Sequence, residues 1–173
     1  AHNDYYVYNA GRSGAGNDYI VETVHEKLRQ QEFDYVYVQF SGLLRHDIKI
    51  DNEWIFSGGP SGHNAKKNQY FIDFYKNLNA SEYIKKNVKK CINLLKYLDE
   101  RKIKYSWCFY YDTYKNPSLE EHQPVEVKHD NKIVPDPHTF CNFMNQLASD
   151  GYHFMYDGYR EWLNKHKAQF FLK

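Results

Sequence analysis

The sequence has little that would place it by composition alone, and each absence excludes something. Its three cysteines, Cys91, Cys108 and Cys141, are odd in number and widely spaced. With no C-x-x-C among them and 173 residues to build a core, neither a disulfide scaffold nor a paired-cysteine metal site is expected. Cys91 and Cys108 fall inside apolar patterns, where a small buried hydrophobe is the expected role. No apolar run approaches the length needed to span a bilayer, and no signal-peptide pattern is seen, so no membrane partner is expected. Charge of one sign is also missing. The formal net charge is +1 and no Lys/Arg arm stands out, so the electrostatic footprint of a nucleic-acid binder is absent. His122, His129 and His138 share a region without H-x-H or H-E-x-x-H spacing, so no metal and no cofactor is expected.

What the chain does have is aromatic: 17 Tyr, 11 Phe and 3 Trp, side chains that serve a core or a wet pocket equally well. Tyr5–Tyr8 reads as a short strand that runs into Asn9-Ala10-Gly11-Arg12-Ser13-Gly14-Ala15-Gly16-Asn17, a tight glycine turn. Asn17 or Asp18 is placed to cap a helix through about Gln31, in which Ile20, Val21, Val24 and Leu28 recur at helical spacing. Residues 34–41 form a strand, which completes a strand–turn–helix–strand unit. Residues 42–67 read as a long irregular loop and 69–78 as a helix. Ser81 is expected to cap a longer helix with an apolar stripe at Ile84, Val88, Cys91/Ile92, Leu95 and Leu98, its lysines forming a solvated face.

Residues 104–111 read as a further strand and 112–137 as a second long loop. Asp136-Pro137 then starts a helix to about Ser149, and a last helix runs from roughly Asp157 to Phe170. The pattern predicts a single α/β domain with a mainly parallel sheet, and one in which an initial strand and helix are missing.

Two features carry chemistry. The glycine turn Gly11-x-x-Gly14-x-Gly16 lacks dinucleotide-fingerprint spacing, and no P-loop occurs. It either presents backbone N–H groups to an anion or oxyanion at the end of a strand, or serves only as a tight connection. Near the other end, Asp150 and His153 have a spacing that lets the acid fix one ring nitrogen of the imidazole and leave the other free as a base. Asp136 and His138 form a second such pair, but capping already accounts for Asp136.

Taken together, these segments resemble the SGNH (GDSL-type) hydrolase family. Asp150-x-x-His153 followed by Gly158-Tyr159 resembles the last family block, with Phe154 where proline usually stands. Asn9-Ala10-Gly11-Arg12-Ser13-Gly14 resembles the second block, N-x-G-x-x-G, and Tyr35–Gly42 falls where the strand of the third block belongs.

The resemblance implies a flavodoxin-like three-layer α/β/α sandwich and hydrolysis of an ester, of a small molecule or a glycan, through a serine nucleophile. It implies His153 as general base, Asp150 as its orienting acid, and the Gly14 N–H as oxyanion donor. In place of the family's oxyanion asparagine this chain reads Ser41-Gly42-Leu43-Leu44-Arg45. Ser41 is then the candidate replacement donor, and Asn17 and Arg45 are candidate pocket residues. The block that carries the nucleophile is not in this sequence and would precede Ala1. The rival reading is a catalytically silent module of the same fold, acting in an oligomer or larger assembly. A nucleotide-binding flavodoxin-like domain ranks third, since no phosphate loop fits.

Overall fold

The computed structural model describes residues 6–109. The amphipathic stripe read from the sequence forms α1 (Asn17–Gln30), with Asp18 in its first turn and Lys27 and Arg29 in its last, matching the helix dipole at both ends. The chain then extends into β1 (Val36–Phe40), where Val38 and Phe40 are buried and Tyr37 and Gln39 face outward.

The cap of α1 is Gly16, not Asn17 or Asp18, and it makes no side-chain hydrogen bond of its own. Three further expectations need correction. The aromatic run Tyr6-Val7-Tyr8 is not a strand; it has no regular structure, and Tyr6 and Val7 are 90% and 79% exposed. Among the described residues its β-propensity finds no neighbouring strand to pair with, and propensity alone does not hold a strand in water. The second correction concerns residues 42–67, which are not one irregular loop. They contain an antiparallel hairpin, β2 (Asp47–Ile50) and β3 (Glu53–Phe56), followed by a short helix, α2 (His63–Lys67). Asp51 and Asn52 make its two-residue turn with φ of 50° and 65°, the left-handed pair that such hairpins need and that Asp and Asn tolerate.

The third correction is a cap. After α3 (Gln69–Lys76), capped by Asn68 through the Tyr70 N–H, the long helix α4 (Ala80–Glu100) is capped by Asn79, not Ser81. The Asn79 side chain accepts from the N–H of Glu82, at the third helical position, where a cap residue normally binds. α4 ends with Lys102 at φ 57°, while the N–H groups of Lys102 and Ile103 return to the carbonyls of Asp99 and Leu98. This is a Schellman ending with lysine where glycine is usual, and Ile103 folds back onto the core beside Leu98.

β4 (Tyr105–Phe109) pairs with β1 in parallel, with Val36 opposite Tyr105 and Val38 opposite Trp107. Ile84, Val88, Cys91, Leu94, Leu95 and Leu98 of α4 pack with Val38, Phe40, Tyr105 and Trp107, and the α1 stripe lies against the same cluster. Phe40 and Trp107 meet edge to face, ring centres 6.0 Å apart. Burying each of the three leucines contributes roughly 2 kcal/mol. The described residues are therefore a small α/β unit, with helices over one face of a two-stranded parallel pair and a hairpin inserted in the crossover. No helix among them is long and apolar enough to cross a membrane.

Candidate functional site

The glycine turn and the segment leaving β1 meet at the carboxyl end of that strand. Arg12–Ala15 is a β-turn closed by the Ala15 N–H on the Arg12 carbonyl at 3.3 Å. Gly14, its third residue, has φ 79°, the geometry that favours glycine in a type II turn. The Arg12 guanidinium lies 5.8 Å over the Tyr19 ring, and side chains from elsewhere supply further ties.

Asn17, the first residue of α1, supplies one of them. Its Nδ2 donates to the Ser41 carbonyl at 3.2 Å, and its Oδ1 accepts from the Ser41 N–H at 2.8 Å. Asn17 was expected to line the pocket; its side chain is wholly buried and is spent on the backbone at the end of β1. With the Ser41 N–H committed, the donor that Ser41 can still offer an oxyanion is its hydroxyl. Arg45 reaches across the same seam, a guanidinium N–H donating to the Ala15 carbonyl at 3.2 Å.

The loop that carries Ser41 and Arg45 is irregular and partly buried, so its carbonyls need donors. They find them on three helices: Asn17 of α1 for Ser41, Asn87 of α4 for Leu43, Tyr75 of α3 for Leu44, and Tyr83 of α4 for Arg45. Ser57, almost fully buried, accepts from the N–H groups of His46 and Gly59 and shares a 2.7 Å hydrogen bond with the Tyr75 hydroxyl. The His46 ring stacks on Phe74 with centres 3.9 Å apart and hydrogen-bonds Tyr83 and Tyr70. Burial lowers the His46 pKa, which keeps its ring neutral among these aromatics. Burial likewise raises the pKa of Tyr75 and Tyr83, so both remain hydroxyl donors.

Asp47 is the functional residue that sequence reasoning misses. It is buried, yet its two oxygens accept from the Gly16 N–H at 2.9 and 2.8 Å, and one of them also from the Tyr19 N–H at 3.2 Å. Burial pushes its carboxyl up to about 6, against the pull of the backbone N–H groups of Tyr19 and Gly16; the Asp18 charge raises it further and Arg45 lowers it. The residue number offers no cue, because the partner lies 31 residues earlier. No signal local to Asp47 marks it in the sequence.

Gly14, Asn17, Ser41 and Arg45, chosen from the sequence, thus come together around one seam. Asp150 and His153 lie outside the described residues, as do His122, His129, Asp136, His138 and the two C-terminal helices read from the sequence. Among the described residues no group of three His, Cys, Asp or Glu side chains comes together as a metal site. Comparison with protein families, with curated proteins and with solved structures finds no match for the chain.

Proposed function

We propose that this protein is a serine-type ester hydrolase of the SGNH kind, built on a flavodoxin-like three-layer sandwich and acting on a small-molecule or glycan ester. The observation that carries the reading is the seam at the end of β1. The segment that follows the stretch resembling the second family block and the strand that falls where the third block belongs are tied side by side through Asn17 and Ser41. They lie at the carboxyl end of a parallel strand, where open α/β sheets bind their ligands.

In this reading the Gly14 N–H and the Ser41 hydroxyl donate to the oxygen that becomes negative when a serine attacks the ester carbonyl. His153 takes the serine proton and returns it to the leaving alcohol. Asp150 holds the ring in the required tautomer and stabilises the imidazolium. Arg45, whose guanidinium donates to the Ala15 carbonyl beside the turn, meets the polar part of the substrate in this reading. In the family the nucleophile is the serine of the first block, which is not among the residues of this sequence.

The test is fluorophosphonate labelling of the full-length protein, together with hydrolysis of p-nitrophenyl acetate. We expect a single labelled serine, loss of labelling in His153→Ala, and a fall in kcat of about 10⁴ in Asp150→Asn. A full-length wild type that does not label, or labelling that His153→Ala leaves intact, overturns the reading in favour of a silent module.

A further inference from the structure

We propose that Asp47 is the positioning residue of the glycine turn, acting as an N-cap supplied from another element and holding the Gly14 peptide in place through α1. The inference rests on the hydrolase reading only where activity is concerned. Its basis is an accounting of donors. The first N–H groups of a helix have no intrahelical acceptor, and normally the side chain of the cap residue takes one of them. Here the cap residue is Gly16, which has no side chain to offer. Asp47 fills the vacancy: it accepts from Tyr19, at the third helical position, and from the cap residue's own N–H.

The fit is steric as well as chemical. A Cβ on Gly16 would lie 2.8 Å from Asp47 Oδ2, so the carboxylate occupies the space that a native cap side chain would need. Gly16 has φ −99° and ψ −172°, an ordinary cap conformation that any residue can adopt, so the glycine is there for the close approach and not for its backbone angles. Asp47 is also linked to Gly14 from the other side. Its strand partner is Phe56, whose Cβ would be 3.8 Å from a Cβ on Gly14.

Asp47 can therefore transmit its protonation state to the turn. The charged and titratable groups around it are Asp18 of α1, paired with Lys90 of α4; Arg45 and His46 from the loop before it; and Tyr75 of α3 and Tyr83 of α4. As a carboxylate it clamps the start of α1. Once protonated, it loses the charge-assisted part of those bonds and the turn loosens.

Amide NMR of the protein decides the point without reference to activity. The Gly16, Tyr19 and Gly14 amide resonances should move together through a common midpoint near 6, where burial places the Asp47 carboxyl, and should lose that titration in Asp47→Asn. The double variant Gly16→Ser/Asp47→Gly moves the cap back into the helix's own chain, and it should return the Gly14 resonance to its high-pH wild-type position at every pH. Fluorophosphonate labelling of Asp47→Asn should slow about tenfold, with recovery in the double variant. A Gly14 amide indifferent to both variants, or Gly16 and Tyr19 amides that do not titrate together, overturns the proposal. If the wild type never labels, the hydrolase reading falls, while the amide titrations still decide the role of Asp47.

Discussion

At the scale of single residues the site depends on two close approaches. Gly16→Ala puts a methyl group into the Asp47 carboxylate and should cost roughly 2 kcal/mol in chemical denaturation. The same change made on an Asp47→Ala background should cost much less, because the clash partner is gone; a double-mutant cycle measures the difference. Asn17→Ala should cost about 3 kcal/mol, since it strands both the N–H and the carbonyl of Ser41 in the interior. These residues were legible to different degrees. Gly14 stood out because turn glycines follow local rules, whereas Asn17 stood out as a cap, a role that falls to Gly16 while the Asn17 side chain binds the backbone of Ser41. Asp47 did not, because its role is a contact with a segment far away in the chain, and no local rule points at it. Tyr75, Tyr83 and Asn87 were hidden in the same way, reading as ordinary helix residues until the carbonyls of the loop after β1 were seen to need donors.

At the scale of elements, α1, α3 and α4 were legible because a stripe at helical spacing is a repeated signal, and β1 because a β-branched and aromatic run met a partner in β4. The hairpin was not. Its strands are four residues each, and its turn is Asp51-Asn52 without the glycine that usually announces such a turn. Tyr6–Tyr8 failed in the opposite sense, with residues suited to a strand and, among the described residues, no strand beside them. The ending of α4 offers a check on this scale. Lys102 holds a left-handed conformation that glycine adopts without strain, so Lys102→Gly should raise stability by about 1 kcal/mol, read as a higher urea midpoint at unchanged slope.

At the scale of the whole molecule, opposed titrations shape stability against pH. Asp47 titrates near 6 when folded and at 3.8 as a free carboxyl. Burying the charge costs more than its backbone bonds to Gly16 and Tyr19 return, even though the ionised group grips α1. Net stability is therefore greatest below 3.8, where the group is neutral in both states, and falls by roughly 3 kcal/mol as pH rises through about 6. His46 and His25 run the other way. Burial lowers both, so their contributions are complete above 6.5 and are lost as pH falls through their folded values. Stability measured by urea unfolding should therefore climb more steeply with pH in Asp47→Asn than in the wild type between about pH 4 and 6. Parallel curves for the two proteins would mean that the carboxyl is not perturbed.

The crossover carries a further consequence, for the order in which the molecule assembles. β1 and β4 are hydrogen-bonded neighbours, yet a hairpin and three helices separate them along the chain. The hairpin turn and the helices close short loops and form quickly, whereas the parallel pair has to bring distant residues together before any of its bonds can form. Folding should then be limited by docking α4 onto β1, with β4 adding last. On that route, truncating Val38 or Leu94 slows refolding, while truncating Ile48 in the hairpin mainly speeds unfolding.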